Sequence, residues 1–129
     1  MKKVLVVFLL ACILLTGSSV VFGSEREVIP SHELVKAFAD NRSAAEAQYL
    51  GKVVLVNGVV LSTGMSRYMT PNVVLSDRAK GDVQVICVLP RLDVGKLANF
   101  TPGQSVTMSG KVYRVSERGV ITKECKVAE

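Results

Sequence analysis

The chain has no tryptophan and a single histidine, and beyond residue 23 only five aromatics: Phe38, Tyr49, Tyr68, Phe100 and Tyr113. A core must therefore be built from Val, Leu and Ile, and platforms for stacking a flat ligand are scarce. The lone His32 precedes Glu33 in an expected first helical turn, far in sequence from any cysteine, and reads as an exposed helix-start residue. No Gly-x-Ser-x-Gly elbow, phosphate-cradling loop or His-rich metal motif occurs. Asp77, Asp82 and Asp93 are scattered over turns and make no general acid–base pair. An enzyme is not expected, and no catalytic residue, metal ligand or cofactor is assigned.

Charge of either sign is also modest. The formal net charge is +5, and without Lys2 and Lys3 the remaining 14 basic residues face 11 acidic ones, leaving +3. That falls well short of the dense cationic stripe typical of phosphate-backbone binding.

What the sequence does have begins with an export signal at residues 1–23. Lys2 and Lys3 form a positive start, Val4 to Leu15 is an unbroken apolar run, and Thr16-Gly17-Ser18-Ser19 opens a polar stretch. Val21-Phe22-Gly23 then offers a peptidase site. Of the 129 residues, cleavage before Ser24 leaves 106 in the periplasm or secreted. That length is one domain with one core. Two alternatives compete. Leu9-Leu10-Ala11-Cys12 loosely matches a lipoprotein box, but strongly apolar residues continue past Cys12. Val4 to Gly23 is also long enough to remain as an anchor, about 20 apolar residues being needed to span a bilayer. The polar interruption opposes that, and no stable membrane insertion is expected after cleavage. Cys87 and Cys125 then remain, and an even pair in an oxidising space predicts one disulfide. It would enclose 37 residues, a loop for which chain entropy gives about 3–4 kcal/mol.

Residues 24–30 read as a flexible leader. Ser31 is the expected N-cap of a helix whose Leu34, Val35, Phe38 and Ala39 share one face, and Ser43 caps a second short helix. From Lys52 the apolar period changes to two. Strands are expected over Lys52–Ser62, Asn72–Ser76, Asp82–Leu89, Gln104–Ser116 and Val120 to about Val127, with a short helix over Leu92–Phe100. Val54 to Val60 and Val106 to Val112 share the pattern V-x-(V/M)-x-G-x-V, placing Gly58 and Gly110 inside long strands. Glycine there marks a bend, a bulge or a close backbone approach. Two long kinked strands, five strands in all, and a helix between the third and fourth describe a mainly β, five-stranded OB-fold barrel with N-terminal helices over residues 31–129. Other small antiparallel barrels remain open.

Several segments carry a family resemblance. They are the helix Ser31 to Phe38; Asn41, Ala44, Ala47 and Tyr49-Leu50-Gly51-Lys52; Val56-x-Gly58-x-Val60; Val74-Leu75; Val85-Ile86-Cys87; Gly103-Gln104-x-Val106-Thr107-x-x-Gly110; and Cys125. On these the chain resembles the exported bacterial OB-fold proteins grouped as tRNA-anticodon-binding-like (tRNA_anti-like). The name describes a shape shared with the anticodon-binding barrel of aminoacyl-tRNA synthetases. It does not establish tRNA binding.

OB-folds bind along barrel strands two and three, between the loops joining strands one to two and four to five. The first loop holds Arg67 and Tyr68, while Arg118 lies in the second with Tyr113 and Arg114 just before it. These five are the candidate ligand-binding residues; ordinary solvated turns are the competing reading. The leading expectation is an exported, non-enzymatic binding or interaction module whose partner is an envelope protein, a glycan or an oligonucleotide. Alternatives are a dedicated single-stranded nucleic-acid binder, and a structural envelope protein pairing through its edge strands.

Overall fold

The computed structural model describes residues 27–128. The expected export signal and Cys12 lie outside the described residues. In chain order the elements are β1 (Val28–Pro30), α1 (Ser31–Asp40), α2 (Arg42–Tyr49), β2 (Val53–Met65), β3 (Pro71–Ser76), β4 (Val85–Val88), a 3-10 helix (Arg91–Asn99), β5 (Ser105–Ser116) and β6 (Gly119–Val127).

Period-two alternation turns one face of each long strand inward. Val54, Val56 and Val60 of β2 meet Val106, Met108 and Val112 of β5, with Val73, Leu75, Val85 and Val120 filling the middle. Each such side chain contributes about 1.5–3 kcal/mol when fully buried, so aliphatic residues alone build this core. The sheet runs β2-β3-β4-β6-β5 and returns to β2, which closes a five-stranded barrel. Closure depends on β2 serving two neighbours: Val53–Val59 pair with β5, and Val59–Met65 with β3. At the handover, a Cβ on Gly58 would lie 3.0 Å from the Ser76 carbonyl oxygen and 3.1 Å from Leu75 Cβ. On β5, a Cβ on Gly110 would lie 2.7 Å from Cys125 Sγ. A side chain at Gly58 would press on β3, and one at Gly110 would collide with the Cys125 and Thr122 side chains, which is what glycine avoids at both places. This is the expected OB-fold barrel, with helices before it and a short helix between its third and fourth strands.

Helix α1 buries Leu34 and Phe38 against the barrel, and Phe38 meets Tyr49 of α2 at 6.2 Å between ring centroids. Three local expectations are corrected. Val28–Pro30, assigned to a flexible leader, is a strand paired in parallel with Leu55–Asn57. Ser31 does not cap α1; it is buried in the first turn, and its hydroxyl donates to Gln84 Oε1 at 2.6 Å. The second helix is capped by Asn41, whose side chain accepts from the Ala44 amide at 3.1 Å, so Ser43 is not needed there.

The disulfide is the largest correction. Cys87 and Cys125 are free, buried thiols, and they are not at bridging distance. Strand register supplies the reason. Cys87 faces Thr122 across the parallel β4–β6 pair, while Cys125 lies three residues further along β6. Thr122 Oγ1 is 3.0 Å from Cys125 Sγ, so the Cys125 sulfur has a hydrogen-bond partner on its own strand. The hydrogen bond with Cys125, and then burial, hold the Cys87 thiol well above its usual range.

Candidate functional site

Two irregularities in the β5–β6 hairpin shape one face of the barrel. The register steps from Val112↔Thr122 to Arg114↔Ile121, and from Ser109↔Lys126 to Lys111↔Lys123. Each step is a bulge, which breaks strict alternation and puts consecutive side chains on the same side. Tyr113 and Arg114 therefore both face outward, as do Lys123 and Glu124, between the buried Val112, Thr122 and Cys125. Glu124 reaches this position with φ 54, a left-handed conformation that costs a non-glycine residue on the order of 1 kcal/mol.

Across the face, the loop after β2 is held by one serine. Ser66 Oγ accepts from the Tyr68 and Thr70 amides, each at 3.2 Å, and the Ser66 amide donates to the Thr70 carbonyl at 2.9 Å. Arg91, at the start of the 3-10 helix, donates from Nη2 to the Tyr68 carbonyl oxygen at 3.1 Å. Met69 takes φ 62, and Tyr68 stands 73% exposed. The loop is thus pinned at both ends while its aromatic ring is free to meet a ligand.

These parts enclose an open groove of about 540 Å³. Asn72, Val88 and Ile121, all half-buried, lie along it; Tyr68, Arg91, Tyr113, Arg114, Lys123 and Glu124 rise around it. Lys123 Nζ lies 3.5 Å from the Tyr113 ring centroid, and the Arg114 guanidinium 5.9 Å away. Cations over an aromatic face are attracted by its quadrupole, so the ring and both charges are held close together. The groove carries three cationic side chains and one carboxylate. An extended anionic ligand with flat groups suits such a surface.

All five residues picked from the sequence are exposed. The fold brings Tyr68, Tyr113 and Arg114 to the groove; Arg67 and Arg118 do not line it. Arg118 sits in the β5–β6 turn, its amide donating to Ser116 Oγ. Sequence reasoning missed Arg91, Lys123 and Glu124. Arg91 was hidden because its position depends on the helix packing beside a distant loop. Lys123-Glu124 did leave a visible trace, two adjacent charged residues in a strand otherwise alternating inward and outward.

A larger hollow, about 780 Å³, lies beside the 3-10 helix. Leu55, Leu89, Phe100 and Cys125 are among its lining, and Asp93 and Lys96 on its rim pair with each other at 3.5 Å. It holds no aromatic on an exposed edge, and its charges are already partly matched. Among the described residues, no group of three or more His, Cys, Asp or Glu side chains is placed to hold a metal ion.

The tRNA_anti-like family model matches residues 1–126. The chain belongs to the tRNA_anti-like family. Among solved structures, this tRNA_anti-like chain is similar to a proposed nucleic acid-binding lipoprotein from Klebsiella pneumoniae, with a TM-score of 0.66 and 19% identity over 81% of this chain and 92% of that one. It also resembles a proposed aspartyl-tRNA synthetase from Leishmania major, with a TM-score of 0.52 and 17% identity over 81% of this chain. The match spans only 21% of that synthetase, so the likeness is to one of its domains. An OBody bound to hen egg-white lysozyme matches with a TM-score of 0.51 and 17% identity over 82% of this chain and 97% of that one. At these identities the likeness is one of fold. No curated protein matches the tRNA_anti-like sequence.

Proposed function

We propose that this protein is an exported, non-enzymatic OB-fold module that binds a short single-stranded oligonucleotide along the groove between Tyr68 and Tyr113. The observation that carries the reading is the grouping of two outward tyrosines with Arg91, Arg114 and Lys123 around a half-apolar floor. Tyrosine faces stack bases, and the three cations meet phosphates. The nucleic acid-binding name of the Klebsiella protein supports the ligand class, and its description as a lipoprotein supports an exported address. The low overall charge sets the strength: this is a weak, salt-sensitive binder rather than a genome-coating one.

Fluorescence anisotropy with labelled oligonucleotides tests the reading. Each phosphate contact on a single strand contributes about −0.7 to the slope of log K against log salt, so three cations predict a slope of about −2. Stacking is worth about 1–3 kcal/mol per base, so a Tyr68→Ala/Tyr113→Ala double variant should bind at least about 30-fold more weakly. No binding of any single strand at low salt would overturn the proposal and turn the search to a protein or glycan partner. The same would follow if binding were unchanged in the double variant.

A further inference from the structure

Glu124 is the one acidic side chain lining the groove. A carboxylate among cations weakens a surface meant only for phosphates, so its presence calls for another purpose. Three observations single it out. First, the bulge opposite Gly110 turns it outward beside Lys123, where a regular strand would have turned it into the barrel. Second, it holds φ 54, and the only other non-glycine residue with positive φ among those described is Met69, beside Tyr68 in the loop across the groove. Strained backbone gathers where a side chain must be aimed. Third, its carboxylate is uncommitted. Among the described residues it joins no ion pair, and the adjacent Lys123 is seated over Tyr113 instead.

An ionised carboxylate only accepts hydrogen bonds, through two oxygens side by side. In a single strand the Watson–Crick edges are open to such contacts. Guanine alone among the common bases displays two adjacent donors there, N1–H and the N2 amino group. Cytosine and adenine offer one donor beside an acceptor, and thymine and uracil one donor between two acceptors. We infer that Glu124 is a specificity residue that selects a guanine laid in the groove beside Tyr113, while Lys123 and Arg114 hold the flanking phosphates. This rests on the oligonucleotide reading above and adds a preference to it.

The experiment uses four labelled nine-nucleotide strands: all thymine, or thymine with one central guanine, inosine or cytosine. Inosine keeps N1–H and lacks the amino group. Base discrimination by a well-placed bidentate contact runs from about 5-fold to 100-fold. The guanine strand should therefore bind at least about 5-fold tighter than the all-thymine strand, with inosine between them. Glu124→Gln should lose the preference while binding the all-thymine strand no more weakly, since a negative charge has left the groove. Glu124→Gly should also lose it, with an unfolding midpoint no lower than wild type because the left-handed strain is relieved. Equal affinity of wild type for all four strands would overturn the inference and leave the oligonucleotide reading standing. A guanine preference that survives in both variants would overturn it too. Failure to bind any strand would instead refute the oligonucleotide reading, and the inference with it.

Discussion

Replacing Gly110 by alanine tests how closely the barrel closes. The added methyl would sit 2.7 Å from Cys125 Sγ, 3.0 Å from Thr122 Cβ and 3.1 Å from Thr122 Oγ1. Cys125 and Thr122 are both buried, at 0% and 1% exposure, so neither can swing into solvent. Accommodation requires β5 and β6 to separate, and overpacking of this kind costs about 1–3 kcal/mol. Loosening the Thr122–Cys125 contact, 3.0 Å long, adds about 0.5–1.5 kcal/mol. Together the loss is about 2–4 kcal/mol, a large share of the 5–15 kcal/mol typical of a domain. With a urea m-value of about 1.5 kcal/mol/M, the midpoint should fall by about 1–3 M. Gly95→Ala is the matched control, since a Cβ at Gly95 meets nothing within 4 Å; it should leave the midpoint within about 0.5 M. Should Gly110→Ala behave like the control, β5 and β6 do not approach as described, and the closed barrel would have to be abandoned.

Three other outcomes follow from features outside the groove. Freshly purified protein should show two thiols that react with a thiol reagent only after denaturation. The hydrogen bond between the two thiols raises Cys87 and lowers Cys125; burial adds to the rise at Cys87, so the folded pair keeps its last proton longer than the unfolded chain. That stability is complete below the unfolded thiol value of about 8.5 and is lost as pH rises through the higher folded value. Urea midpoints should drop more between pH 8 and 10 in wild type than in Cys87→Ala, and equal drops would refute the assignment. Exported protein should have an intact mass beginning at Ser24, whereas a lipid-modified Cys12 at the N-terminus would disprove cleavage at Gly23.

The barrel was readable because its strands obey one simple rule. Val54, Val56 and Val60 in one segment, and Val106, Met108 and Val112 in the other, recur at period two and mark a half-buried strand, and the two interior glycines mark where such strands press against others. The groove was only half readable. Tyr68 and Tyr113 stand out as rare aromatics near expected loops, but Arg91 joins them through a contact 23 residues away in sequence. The bulges that bring out Lys123 and Glu124 depend on which residue of β5 faces which residue of β6. The same holds for the cysteine pair: the sequence pattern places the two on neighbouring strands, but not in the register that sets Cys87 opposite Thr122. Ser31 reads as a cap by residue type alone, whereas Gln84 on the barrel, 53 residues on, claims its hydroxyl.

The three-residue strand β1 covers main chain that would otherwise stand open along β2. Before Val59, one edge of β2 pairs with β5 and the opposite edge is not yet taken by β3. Val28–Pro30 occupies that gap, alongside Leu55–Asn57. A domain trimmed to begin at α1 would present those main-chain donors and acceptors bare, the kind of opening through which sheets recruit strands from other molecules. The short segment ahead of the helices thus covers that stretch of β2, and Pro30, with no amide hydrogen to offer, ends the cover cleanly.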